Sequence, residues 1–360
     1  MSTQTAPAQT APARTATAQP MPAPADPSTK GLVSHAHFEE LPIIDIGPLL
    51  DGAPGARESV AMQIRHACTE IGFFFIINHG MPQSVVDNAF DASRKFHTMP
   101  ASEKIRVKMN EHQCGWQGAN IAVHGDSFEN AAKAYTSEGF KFTFDLTPDD
   151  PDYGLGKRFR GHNQWLDTAP PDVHPNLMAF LVEFEALAKQ LLPPLAVSLG
   201  VAPDFFEQAF ERSSSMMRVA YYPVMPYEKD QLGLPGHTDL SFLSMIPPAS
   251  GPGLQILTRD GQWIDQPEIP GAILVNTGDT LRHWTNDVYI ATPHRVLPSR
   301  EADRYSNILF FYPNVDATMA CIPTCATAAN PAKYPPITFG EFHAAYAARN
   351  FAFAEKKKAS

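Results

Sequence analysis

The chain has 360 residues, 44% of them hydrophobic, which is enough to bury a sizeable core. Its formal charge of −10, from 28 Lys and Arg against 38 Asp and Glu, excludes the basic footprint of a nucleic-acid-binding protein. No stretch approaches the roughly 18 apolar residues of a membrane-spanning helix. The expected partner is therefore a small molecule, with no nucleic acid and no membrane.

Residues 1–32 are dominated by Ala, Pro, Thr and Gln and contain no apolar run of the kind a secretory signal needs. This composition predicts a disordered tail. A mixed, largely helical region is expected over 33–200. Within it, Val60, Ile64, Ala67, Cys68 and Ile71 recur at helical spacing over Ser59–Ile71. Leu177, Phe180, Leu181, Phe184, Leu187, Leu191, Leu195 and Leu199 trace a longer stripe, which Pro193-Pro194 should kink. Residues 201–337 break into short apolar runs separated by turn signals, among them Leu254–Leu257, Asp260-Gly261 and Ala272–Val275. Short strands at this spacing predict a double-sheet jelly roll. A C-terminal helix and tail are expected over 338–360, with Phe342, Tyr346 and Phe351 on one face. Four cysteines in this length predict reduced thiols and a cytoplasmic chain. The expected assembly state is a monomer or a weak homo-oligomer.

Three His-x-acid triplets occur, beginning at His37, His124 and His237. Only His237-Thr238-Asp239 leads into an apolar run, Leu240–Ile246, after a turn signal at Leu234-Pro235-Gly236. On a strand, residues i and i+2 share a face, so His237 and Asp239 are expected to point into one cavity. His294, in Ala291-Thr292-Pro293-His294-Arg295-Val296, lies 57 residues on (294 − 237) and supplies the natural third ligand. Two histidines and a carboxylate are the ligand set of mononuclear non-haem Fe(II) with open positions. Arg304, ten residues beyond, suits a co-substrate with a free carboxylate, because a guanidinium fork matches it bidentately. The remaining histidines read as structural, His79 in a turn and His283 packed or facing solvent.

The ordered set Tyr221-Tyr222-Pro223, Gly236-His237-Thr238-Asp239, Asn276-Thr277-Gly278-Asp279, Trp284-Thr285-Asn286, Thr292-Pro293-His294-Arg295-Val296 and Arg304-Tyr305-Ser306 resembles the isopenicillin N synthase-like family of Fe(II)/2-oxoglutarate-dependent dioxygenases. Upstream, Leu41–Asp45, Gly72–Phe75, Asn78-His79-Gly80 and Gly161–Trp165 resemble its N-terminal region. The resemblance spans roughly residues 41 to 352. It implies an α+β fold with a double-stranded β-helix (jelly-roll) core, flanking helices and a helical N-terminal region. It implies His237, Asp239 and His294 as iron ligands, and Arg304 and Ser306 on the distal carboxylate of 2-oxoglutarate. Tyr222 either supports that carboxylate or is a core tyrosine. The implied reaction uses Fe(II), 2-oxoglutarate and O2, releases succinate and CO2, and oxidises a small molecule by hydroxylation, desaturation or ring formation. One departure is Ala220, where relatives often carry asparagine before Tyr-Tyr-Pro. Candidate pocket residues are the Trp116–Phe128 loop, Phe242, Phe310 and Tyr312. Two alternatives stand beside this reading: an oxidase that uses no 2-oxoglutarate, and a non-catalytic metal-binding jelly roll.

Overall fold

Phe73-Phe74-Phe75-Ile76-Ile77 is apolar at every position because the strand it forms lies in a sheet covered on both faces. Phe73 and Phe75 join one apolar cluster, Phe74 and Ile76 another, as the two-residue period of a strand demands. The computed structural model describes residues 41–119, 136–225 and 231–350. The 1–32 tail, His37, His124, residues 120–128 of the candidate pocket loop, and Phe351 lie outside them.

In chain order the core strands are β1 (Ile43–Asp45), β2 (Phe73–Ile77), β3 (Gly115–Gln117), β4 (Glu138–Phe142), β5 (Met216–Tyr222), β6 (Leu234–His237), β7 (Leu243–Ile246), β8 (Leu254–Leu257), β9 (Trp263–Asp265), β10 (Ile273–Thr277), β11 (His294–Val296) and β12 (Arg304–Phe311). The larger sheet runs β1-β2-β10-β7-β12-β5-β4-β3 and the smaller β6-β11-β8-β9. Phe73, Phe75, Tyr222, Leu274 and Ile308 of the larger sheet meet Leu234, Leu254, Ile256 and Val296 of the smaller in one inner core. This is the expected α+β jelly roll. Strands from both halves of the chain share the larger sheet, so the N-terminal region is knitted into the barrel wall.

Helices cover the outer face. Ala56–Glu70 buries Val60, Ile64, Ala67 and Cys68, the stripe read from the sequence, and packs on the Leu192–Ser198 helix. It ends at Gly72, whose φ of +78° lets its N–H donate to the Ala67 carbonyl. The long stripe divides as expected, into Val173–Gln190 and Leu192–Ser198, with Pro193 and Pro194 in the first turn of the second helix. The last helix, Phe339–Asn350, starts from a capping box: the Thr338 N–H donates to Glu341 Oε2 at 3.0 Å and the Glu341 N–H to Thr338 Oγ1 at 3.2 Å.

Candidate active site

The smaller sheet places the two histidines. β6 and β11 pair antiparallel with His237 directly opposite His294, and their ring centroids are 4.5 Å apart. Asp239 arrives differently from the sequence reading. Leu234-Pro235-Gly236 is not a turn but most of β6, which ends at His237. Asp239 lies in the connection to β7, which begins only at Leu243. The shared face of one strand therefore does not bring the pair together; a crossing from the smaller sheet to the larger does. The head of the Asp279–Trp284 helix holds that crossing. Its first N–H groups, which lack partners within the helix, donate to the Asp239 carbonyl at 2.7 Å and the Leu240 carbonyl at 3.2 Å. Gly278 is required there, since a Cβ would lie 2.1 Å from the Ser241 carbonyl oxygen.

The result is a compact ligand set. Candidate donor atoms of His237, Asp239 and His294 all lie within 4.8 Å of one another, the one such group among the described residues. Each histidine Nε2 is 3.7 Å from an Asp239 carboxylate oxygen. Nδ1 of His237 lies 2.8 Å from the Pro235 carbonyl, and that of His294 3.3 Å from the Thr292 carbonyl. A carbonyl can only accept, so each Nδ1 carries the proton and each Nε2 lone pair is left for a metal. Burial works against ionisation of Asp239. The two imidazoles and hydrogen bonds from Ser244 Oγ (2.6 Å) and Asn276 Nδ2 (2.9 Å) outweigh it and hold the carboxyl below its ordinary range. Burial, with His294 next, pushes the His237 imidazole down to about 4, keeping it neutral and ligand-competent. Two Nε2 atoms and an oriented carboxylate fit a divalent metal ion.

A cavity of about 240 Å³ opens beside this set, lined in part by Arg218, Tyr222, Arg304, Ser306 and Ile308. β5 and β12 pair so that Arg304 faces Tyr222 and Ser306 faces Ala220, which puts all four on one patch of wall. Arg304 is the first residue of β12 and is 4% exposed. Its Nε donates to the Gly251 carbonyl at 2.9 Å, and its guanidinium carbon is 5.0 Å from the Tyr222 ring centre. Its Nη1 is buried with no partner. A buried cation with an unused donor facing a cavity calls for an anion.

The six residues expected to hold iron and co-substrate, Tyr222, His237, Asp239, His294, Arg304 and Ser306, thus line one cavity. The sequence does not mark Ser244 and Asn276 as site residues, although Asn276 opens the Asn276-Thr277-Gly278-Asp279 motif and Ser244 is a polar residue in an apolar strand. Phe310 lines this cavity and Tyr312 a smaller one that adjoins it, whereas Phe242 belongs to the outer core with Phe206, Phe210 and Trp284. Trp116 is core as well, donating from its indole to Glu138 at 3.0 Å. His79 is the expected turn residue: its Nε2 donates to the Gly271 carbonyl at 2.9 Å and its Nδ1 accepts the Met81 N–H. His283 packs on Tyr334 and Phe342. All four thiols are free, and no described helix is long and apolar enough to cross a membrane.

Residues 213–313 match the profile of the 2OG-Fe(II) oxygenase superfamily, and residues 41–168 that of the non-haem dioxygenase in morphine synthesis N-terminal region. The 2-oxoglutarate-Fe(II) type oxidoreductase hxnY of Emericella nidulans is 31% identical over 305 residues, 82% of this chain and 86% of its own. Among solved structures, a 2OG-Fe(II) oxygenase family protein from Caulobacter crescentus shares the fold, with a TM-score of 0.72 at 25% identity over 84% of this chain and 96% of its own. JOX2 in complex with 2OG, Fe and JA is 27% identical, with a TM-score of 0.68 over 84% of this chain and 83% of its own. The chain belongs to the 2OG-Fe(II) oxygenase superfamily and is an Fe(II)- and 2-oxoglutarate-dependent oxygenase that oxidises a small organic molecule, releasing succinate and CO2.

Proposed function

We propose that His237, Asp239 and His294 hold the iron, that Arg304 and Ser306 bind the distal carboxylate of 2-oxoglutarate, and that Tyr222 closes over that end of the co-substrate. The observation that carries this reading is the unpartnered Nη1 of buried Arg304, in a cavity that also holds the three ligand side chains. Bound Fe(II) supplies the chemistry that couples decarboxylation of 2-oxoglutarate to oxidation of a C–H bond. In a hydroxylation, one atom of O2 goes to succinate and the other to the product.

The chain's own residues do the rest. Tyr222 packs against the Arg304 guanidinium and Gly251 fixes its Nε, so the fork is pre-set for a carboxylate. Ser306 adds a hydroxyl two residues along the same face. Ala220, opposite Ser306, contributes only a methyl group where relatives often have an amide, so contacts to the inner end of the co-substrate come from elsewhere. Four free thiols support a reducing, cytoplasmic setting. Relatives named for hydroxylation of homoarginine and for flavonol synthesis support a role in specialised small-molecule metabolism. The test is succinate release from 2-oxoglutarate under O2 with Fe(II), across a panel of small molecules. Turnover that is independent of 2-oxoglutarate would overturn the proposed role of Arg304 and Ser306.

A further inference from the structure

A second, smaller cavity of about 60 Å³ meets the first at His237, Asp239 and Arg218. Its wall is built by β4 and β5, which pair so that Lys141 stands directly opposite Arg218. Like charges in that relationship repel. Burial pushes the Lys141 ammonium down to about 7, and the Arg218 charge pushes the same way.

The strands set where the guanidinium lies. Gly139 precedes Lys141 by two residues on the same face of β4. A Cβ at Gly139 would lie 2.8 Å from Arg218 Nε and 3.3 Å from its Nη2. The Arg218 side chain therefore leans across β4, away from β12, using the space that glycine leaves. Among the described residues no carboxylate pairs with it. Three polar groups on the same cavity are buried without a partner: Gln113 Nε2, Ser137 Oγ and His343 Nδ1. Their residues are 3%, 4% and 1% exposed. A guanidinium, an ammonium, an amide N–H and a hydroxyl outnumber the one carboxylate of this lining, Asp239, whose oxygens lie beside the two histidines, so the wall is donor-rich and complementary to an anion with several acceptor oxygens.

The co-substrate does not fill this requirement. Arg304 lies opposite Tyr222 and Arg218 opposite Ile308, four residues further along the ladder, or roughly 13 Å. We infer that the primary substrate carries a carboxylate that docks on the Arg218 guanidinium beside Lys141, so that Arg218 sets substrate class. This rests on the proposed assignment of Arg304 to 2-oxoglutarate.

Anaerobic calorimetry on the full chain loaded with Fe(II) and 2-oxoglutarate tests it. The probes are benzoate, pyridine-3-carboxylate and indole-3-acetate, each against its primary amide. At least one acid should bind about tenfold or more tighter than its amide, the worth of a charge-assisted hydrogen bond. Arg218→Met should erase that preference, Arg218→Lys should restore part of it, and 2-oxoglutarate affinity should stay unchanged in both. Acids that bind no better than amides, or a preference that survives Arg218→Met, overturn the inference. So does a tenfold loss of 2-oxoglutarate affinity in Arg218→Met, which would assign the guanidinium to the co-substrate. If the wild type fails to bind 2-oxoglutarate at all, the Arg304 assignment falls first and this inference with it.

Discussion

His294 faces His237 across the β6–β11 ladder, so one backbone register brings together two residues that are 57 positions apart (294 − 237). The pair is fixed before any metal binds, because strand pairing sets the Cα positions and carbonyls of Pro235 and Thr292 set the ring orientations. Replacing His294 by Ala should leave the ladder intact and remove one ligand atom. We expect iron content to fall from one per chain to near zero after desalting, with turnover lost and the circular dichroism spectrum unchanged. Full iron stoichiometry in this variant would show that the third ligand lies elsewhere.

Arg304→Lys keeps the charge and loses the fork. Lysine offers a point charge on a flexible stem, and nothing in its place would pack on Tyr222 or hold the Gly251 carbonyl as Arg304 does. Loss of one hydrogen bond to a charged group costs about 1.5–3 kcal/mol. The KM for 2-oxoglutarate should therefore rise about tenfold or more. An unchanged KM would remove Arg304 from the co-substrate site.

Asn276 and Ser244 both donate to one oxygen of Asp239, Oδ2. Their effect is to aim the carboxylate. Asn276→Ala should weaken Fe(II) binding by roughly 10–100-fold, the range for partners that orient metal ligands. A competition titration with a chelator measures this. If Asn276→Ala and wild type bind iron equally, the amide serves the core and not the ligand.

Acid stability should depend on a buried network away from the site. Glu138 Oε2 accepts from Lys104 Nζ at 2.7 Å and from the Trp116 indole at 3.0 Å, with His97 Nδ1 3.6 Å away. Burial alone would raise its carboxyl, but His97, Lys104 and Trp116 outweigh burial and hold it down at about 2, against an ordinary 4.5. A depressed carboxyl stabilises the fold above its unfolded value and loses that stabilisation as pH falls toward its folded one. The window is therefore pH 4.5 to about 2. The loss should be on the order of 1–3 kcal/mol after solvent screening. Buried His97, held below its ordinary value by burial, adds an acid penalty that begins higher, below 6.5. Denaturant unfolding of Glu138→Gln should show lower stability at pH 7 and a shallower fall across the lower window. An identical pH profile would show that Glu138 does not carry the effect.

The candidate site was largely legible because its chemistry needs particular residue types. His237, Asp239, His294 and Arg304 can be named from side-chain chemistry and order alone. What placed them was not legible. The Leu234-Pro235-Gly236 segment has the composition of a turn but forms a strand, because β11 offers it a partner that local propensity cannot anticipate. Helices with a clear 3.6-residue stripe, such as Ala56–Glu70, were read to within a few residues. Phe242 reads as a pocket residue in the sequence but packs on Phe210, because an aromatic after a ligand motif has no sequence mark for which face it takes. Lys141 and Arg218 carry no sequence mark for a related reason: 77 positions (218 − 141) separate them, and only the β4–β5 register makes them neighbours.

The crossing between β6 and β7 has a mechanical consequence. His237 and His294 belong to the smaller sheet, while Asp239 is gripped by Ser244 of β7 and Asn276 of β10 in the larger one. An ion bound by all three acts as a rivet through both layers at the rim of the barrel. Any species that binds only the folded chain stabilises it by mass action, by about 2.7 kcal/mol at a hundredfold excess over its Kd. Metal supply would then set how readily the two layers part, and the seam beside Asp239 is where a stripped chain would begin to open.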